Sequence, residues 1–123
     1  MNKLIVKKAA VLGAGVMGAQ IAAHLANANV PVVLFDLPAR EGDKNGVVTK
    51  ALDGLKRLEP GPLANKGRLK FIDAANYDEH LPLLAECDLV IEAIAERMDW
   101  KNDLYAKIAP HLSADAVIAS NTS

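Results

Sequence analysis

Two short runs, Ala9-Ala10-Val11-Leu12 and Val32-Val33-Leu34-Phe35, are apolar at consecutive rather than alternate positions. That pattern fits strands buried on both faces, as in a parallel sheet. Between them Met17, Ile21, Leu25 and Ala28 recur at helical spacing, which predicts a helix from about Val16 to Ala28. Asn27 and Asn29 bracket its end, and Pro31 prevents its continuation. Asp36 closes the second run. Val47, Ala51, Leu52, Leu55 and Leu58 then outline a second helix, which the breaker Glu59-Pro60-Gly61-Pro62 ends. Arg68 to Ile72 reads as a third strand, and Asp78 to Ala85 as a short helix or turn. Asp88 to Ala93 reads as a fourth strand. Trp100, Leu104, Tyr105 and Ile108 predict an amphipathic helix before Pro110, and Ala116 to Ala119 form a fifth strand close to the end of the chain. No internal repeat or low-complexity segment interrupts this order.

Strands alternating with helices imply right-handed parallel crossovers. The expected fold is therefore α/β, an open, doubly wound parallel sheet of the Rossmann type that ends after its fifth strand. In such sheets ligands lie beyond the carboxyl ends of the strands, near the switch in strand order. That rule selects Gly13 to Gly18, Asp36, Ala93 to Glu96 and Ser120 to Ser123. The length of 123 residues suits one domain. With 51% hydrophobic but only 4% aromatic residues, the core has to come from Ala, Val, Leu and Ile. A net charge of -1, from 14 basic and 15 acidic residues, argues against a nucleic-acid surface or a polybasic membrane patch. No apolar run approaches the roughly 20 residues that span a bilayer. Met1 to Lys8 lacks the apolar core of a signal peptide. The chain is expected to be soluble and cytoplasmic, with neither nucleic acid nor membrane as a partner. Its single cysteine, Cys87, excludes an intrachain disulfide and reads as a small buried residue at a strand edge.

Gly13-Ala14-Gly15-Val16-Met17-Gly18 has the G-x-G-x-x-G spacing of a dinucleotide-binding turn. Its context makes the match specific: it follows a strand, opens a helix and has an acidic residue, Asp36, about 20 positions on. Each glycine has its own task. Gly13 permits the tight turn, Gly15 lets the backbone approach a pyrophosphate, and Gly18 lets the helix pack closely on the sheet. The helix start then offers amide donors and a partial positive charge to phosphates. A carboxylate at Asp36 accepts hydrogen bonds from both adenine-ribose hydroxyls and repels a 2′-phosphate, which favours NAD over NADP. Two alternatives stay open: Arg40 pairing with a 2′-phosphate, and Asp36 capping the segment after it.

Two further segments narrow the reading. Val90-Ile91-Glu92-Ala93-Ile94-Ala95-Glu96 is followed by Lys101, and Ala119-Ser120-Asn121-Thr122-Ser123 closes the chain. Together with Gly13 to Ala22 they resemble the 3-hydroxyacyl-CoA dehydrogenase family over about Lys8 to Ser123. The segment "VKKAAVLGAGVMGAQIAAHLANANVPVVLFDLP" further resembles large bacterial fatty-acid β-oxidation proteins that fuse this dehydrogenase to an enoyl-CoA hydratase. The resemblance implies that Glu96 lies beside the nicotinamide ribose and that Lys101 also reaches the cofactor. It implies that Ser123 stands near both the nicotinamide and the substrate's 3-oxygen, with Asn121 on the same loop. Bland alternatives are a solvated helix start for Glu96 and Lys101 and a turn cap for Asn121. The helical arm that carries CoA contacts in animal members has no counterpart in the compact Asp43 to Leu69 segment. Lys56, Arg57 and Lys66 are candidates for the CoA phosphates, and a solvated surface explains them as well.

By the same resemblance, the activity is oxidation of a 3-hydroxyacyl-CoA by NAD, with a histidine base oriented by a glutamate. That histidine is expected on a strand after the "SNTS" loop, beyond this chain, as is a helical domain with dimer contacts and part of the acyl-CoA site. His24, His80 and His111 read as structural or solvent-exposed. The fragment alone is therefore expected to be inactive, with acyl-CoA binding and homo-oligomer formation belonging to the full-length enzyme. Competing readings are a stand-alone NAD-binding or sensing module, and another dehydrogenase of similar topology acting on a short 3-hydroxy acid.

Overall fold

The computed structural model describes residues 7–36, 42–43, 45–57, 70–93, 98–114 and 116–120, with the backbone alone at Val16, 55–57, 98–102 and Ser120. Five strands form one parallel sheet: β1 (Ala9–Leu12), β2 (Val32–Asp36), β3 (Ile72–Asn76), β4 (Leu89–Glu92) and β5 (Val117–Ser120). Among the described residues three helices, α1 (Val16–Asn27), α2 (Gly46–Arg57) and α3 (Met98–Ile108), connect them, with a 3-10 turn between β3 and β4. The strand order is β3-β2-β1-β4-β5, so the switch in order falls between β1 and β4. This is the expected doubly wound sheet.

Both faces are covered. Ala19, Ala22, Ala23 and Ala26 of α1 and Val48 and Leu52 of α2 pack with Val11, Val32, Leu34 and Ile72 on one face. Leu104 and Ile108 of α3, with Leu81 and Leu84 from a 3-10 turn (Leu81–Glu86), pack with Ala10, Leu12, Val33, Phe35 and Val90 on the other. The consecutive apolar runs of β1 and β2 are buried along their whole length, apart from Asp36. Four alanines carry the α1 face because a small side chain brings the helix axis close to the sheet. That closeness is what places the helix start over the end of β1. The helix stops as its sequence predicts: Asn29 adopts φ 65, and the Val30 N–H reaches back to the Leu25 carbonyl at 3.0 Å, a left-handed cap.

The third strand differs from expectation. It runs Ile72–Asn76, not Arg68–Ile72, and residues 68–69 lie outside the described residues. The apolar pair Phe71-Ile72 marks where the strand begins, not where it ends. The remainder of the strand, Asp73-Ala74-Ala75-Asn76, is a weak strand signal in isolation. Parallel pairing with β2, from Val32↔Ile72 to Asp36↔Asn76, overrides it. The third helix ends before Pro110, as expected, at Ile108, and the chain continues through the proline as a 3-10 turn, Ala109–His111, because a proline near the start of a turn has no donor to lose. At the other edge, β5 exposes Val117 and Ile118. The helix expected through Leu58 is α2, while Leu58 and the Pro60–Pro62 breaker lie outside the described residues.

Candidate functional site

The turn between β1 and α1 has the geometry that its three glycines imply. Gly13 has φ 109, a conformation that side chains with a Cβ rarely adopt. Its N–H donates to the Phe35 carbonyl at 2.8 Å, the last rung between β1 and β2. Gly15 is exposed, and a Cβ added there would meet nothing within 4 Å among the described residues. It caps α1 with extended backbone and no side-chain hydrogen bond, and the first turn of α1 holds no acidic residue. Its carbonyl accepts the Ala19 N–H at 2.9 Å, which starts the helix. The positive end of the helix dipole therefore faces the open space in front of Gly15. At Gly18 the opposite holds: an added Cβ would stand 1.7 Å from the Gly13 carbonyl oxygen and 3.6 Å from the Ala93 Cβ. One glycine leaves room for a ligand, and the other makes room for the fold.

Three strand ends converge here. The Ala93 N–H donates to the Leu12 carbonyl at 2.9 Å, which ties the end of β4 to the start of the turn. From β2, the Asp36 carboxylate accepts the Ala14 N–H at 2.7 Å, a bond spanning 22 residues of sequence. Asp36 thus engages the glycine turn, while the segment after it, 37–41, lies outside the described residues. It remains half-buried at the lip of the turn. Gly15 and Asp36 thus bring an open helix start and a carboxylate side by side, groups that could hold a phosphate and a sugar hydroxyl.

Below the lip lies a layer that sequence reading missed. Tyr77, immediately after β3, stacks on Phe35 with ring centroids 5.8 Å apart and planes 6° apart. Its N–H donates to the Asp36 carbonyl at 3.3 Å. Among the described residues its buried hydroxyl has no hydrogen-bond partner. Burial, followed by the Asp36 and Glu92 charges, holds that phenol protonated well above its ordinary range. Glu92, at the end of β4, is fully buried. Its one sequence signal is a charge inside the apolar run Leu89-Val90-Ile91 to Ala93. At the end of β3, buried Asn76 donates to Asn45 at 2.8 Å and Glu79 at 3.0 Å and accepts from the Asp78 and Glu79 amides. Asn76 thereby ties the edge strand to the residues before α2.

Of the other sequence-selected residues, Met17 is 54% exposed on the first turn of α1, and Val16 begins that helix. Lys101 lies in the first half of α3, where the backbone alone is described. Glu96, Asn121, Ser123, Arg40 and Lys66 lie outside the described residues, as do the side chains of Lys56 and Arg57. His24 is exposed on α1, as expected. His80 has a structural role, as expected, but because β3 extends to Asn76 it sits at that strand's carboxyl end, where its Nδ1 accepts the Asn76 N–H at 3.1 Å. His111 is in the 3-10 turn after α3. None of the three stands at the β1/β4 switch. Cys87 is buried beside Leu83, as its sequence setting implied. Burial first, opposed by Lys8, pushes its thiol up to about 11. No helix among the described residues is long and apolar enough to cross a membrane, and they contain no cluster of metal-ligating side chains.

The model of the 3-hydroxyacyl-CoA dehydrogenase NAD-binding domain matches residues 8–123. The chain belongs to that family. Within it, the chain is 45% identical over 119 residues to a protein of Rickettsia felis named as a fatty acid oxidation complex trifunctional enzyme, covering 96% of this chain and 16% of that protein. It is 35% identical over 120 residues to an L-carnitine dehydrogenase of Mesorhizobium japonicum, covering 97% and 32%. The solved structure of 3-hydroxybutyryl-CoA dehydrogenase from Escherichia coli K12 superposes with a TM-score of 0.77 at 33% identity, over 98% of this chain and 25% of that one. The chain spans about a sixth to two-fifths of the length of the curated relatives it matches. The family is one of NAD-binding domains from oxidoreductases, so the cofactor of this fold is NAD.

Proposed function

We propose that this chain, as one unit over residues 1–123, is the cofactor-holding part of an enzyme that oxidises (S)-3-hydroxyacyl-CoA to 3-oxoacyl-CoA with NAD in fatty-acid β-oxidation. The observation that carries the reading is the open face of Gly15 between the α1 N-terminus and Asp36. Backbone amides at the start of α1, from Gly15 through Val16 and Met17 to Gly18, hold the pyrophosphate, while Gly13 and Ala14, whose amides bond Phe35 and Asp36, shape the turn beneath it. Asp36 accepts the ribose hydroxyls and discriminates against a 2′-phosphate. Glu96 and Lys101 orient the nicotinamide half, and Ser123 and Asn121 meet the substrate's 3-oxygen. NAD supplies the hydride acceptor when bound. The hydroxyl proton of the substrate needs a base, and none of the three histidines stands where one could serve. A catalytic histidine and a second, helical domain therefore complete the site in the whole enzyme, which we place in the cytoplasm as a homo-oligomer acting on acyl-CoA.

Calorimetric titration of the chain with NAD and NADP tests the cofactor half of this reading. Tighter binding of NAD is expected. Equal or tighter binding of NADP would overturn the role given to Asp36. NADH formation from a 3-hydroxyacyl-CoA by the enzyme that carries this domain, and none by the 123-residue polypeptide, tests the other half. The 35% identity to an L-carnitine dehydrogenase favours a second reading, a free 3-hydroxy acid as substrate. The same assay with L-carnitine separates the two.

A further inference from the structure

We propose that Asp36 is a positioning residue that builds the phosphate turn before any nucleotide arrives, in addition to accepting the ribose. The inference rests on the reading of the glycine turn as the nucleotide site. The β1–β2 ladder runs in register from Ala9↔Val32 to Leu12↔Phe35. Its last backbone rung is the Gly13 N–H to the Phe35 carbonyl, at 2.8 Å. At Gly13 the chain leaves the ladder with φ 109, so the next amide, that of Ala14, is not offered a strand carbonyl. The Asp36 carboxylate takes it instead at 2.7 Å. The side chain thereby adds one rung beyond the point where the backbone ladder stops.

Ala14 is only 7% exposed, so an amide left without this acceptor would lose water as well as its partner. The bond is short and charge-assisted, the stronger class of hydrogen bond. Asp36 is itself anchored: its carbonyl accepts the Tyr77 N–H, and its neighbour Phe35 is stacked on Tyr77. On the other side, the Gly13 carbonyl is held against Gly18. The turn is therefore clamped between β2 and α1, and Gly15 is presented in its open conformation at no cost to the incoming ligand. One consequence is specific. Removing the Asp36 carboxylate weakens binding of every nucleotide that uses the turn, including those without ribose hydroxyls.

The test compares Asp36→Ala, Asp36→Val and Asp36→Asn. Valine matches aspartate in size and favours strands, so it serves if the alanine variant unfolds. Asparagine keeps an acceptor oxygen but not the charge. In the ligand-free chain, amide hydrogen exchange at Ala14 should accelerate about tenfold or more in the Ala and Val variants and stay near wild type in Asn. Exchange at Val11 and Leu34 reports that the sheet is intact. Titration then uses ADP and 2′,3′-dideoxy-ADP. Both should bind Asp36→Ala and Asp36→Val about tenfold or more weakly, whereas Asp36→Asn should lose affinity chiefly for ADP. Unchanged exchange at Ala14 and unchanged dideoxy-ADP affinity in the Ala and Val variants would overturn the positioning role. Failure of the wild-type chain to bind either nucleotide would instead overturn the site reading, and the exchange data would distinguish that case.

Discussion

Gly18→Ala is the substitution whose outcome the structure dictates most directly. In a helix interior, alanine is ordinarily better than glycine by about 1 kcal/mol. At position 18 the new Cβ would stand 1.7 Å from the Gly13 carbonyl oxygen and 2.8 Å from its carbon. Both are backbone atoms, so no side chain can rotate away. Restoring an ordinary carbon–oxygen contact of roughly 3.3 Å requires α1 to retreat from the turn by about 1.5 Å. A gap of even half that size forfeits a quarter to a half of the dispersion energy across an interface. The interface at stake is the alanine face of α1, which is buried on the sheet. Overpacking of this kind costs about 3 kcal/mol, at the upper end of the usual range, and the propensity gain leaves a net loss of about 2 kcal/mol. For a chain of this size the midpoint should fall by roughly 6–10 °C. Gly54→Ala is the matched control. Gly54 lies in α2, exposed, with nothing within 4 Å of an added Cβ, and should stabilise by about 0.5–1 kcal/mol. Thermal and urea unfolding followed by circular dichroism measure both variants. A Gly18→Ala chain as stable as wild type, or both variants shifting in the same direction, would refute the close-packing argument.

Three other outcomes are expected. Gly15→Val should fold with near-native stability, because the added side chain points into open space, yet lose NAD binding on calorimetric titration because that space is the proposed pyrophosphate seat; full retention of binding would move the phosphates elsewhere. Tyr77→Phe should leave stability unchanged or raise it by up to about 1 kcal/mol in urea unfolding, since the hydroxyl it removes is buried without a partner among the described residues; a loss above about 1 kcal/mol would mean the hydroxyl is bonded. Cys87 should resist thiol reagents at about pH 8 in the folded chain. Because folding raises the thiol pKa from 9.0 to about 11, its contribution to stability is complete below pH 9.0 and disappears as pH rises toward 11. Cys87→Ala should therefore flatten part of the alkaline limb of a stability–pH curve, and an unaltered limb would show that the thiol does not titrate there.

The sequence alone determined the fold class, because consecutive apolar runs and helical spacings alternate in an order that few topologies accept. It also determined the turn. Three glycines with separate tasks can be read from spacing, since each follows from what a Cβ would do there, and the buried alanines of α1 agree with the third. Position along the sheet was less legible. The third strand lies four residues beyond its expected start because Ile-Asp-Ala-Ala-Asn has little intrinsic strand character and becomes a strand only by pairing with β2. That shift brings His80 to a strand end that its sequence setting did not suggest. The carboxylate of Asp36 on the Ala14 amide, the Tyr77 ring against Phe35 and the burial of Glu92 belong to tertiary structure alone. Each depends on residues far apart in the chain, and no local pattern encodes a distance across a sheet. Periodicity reports which face of an element is apolar; only the packed sheet decides which polar groups meet where its strands end.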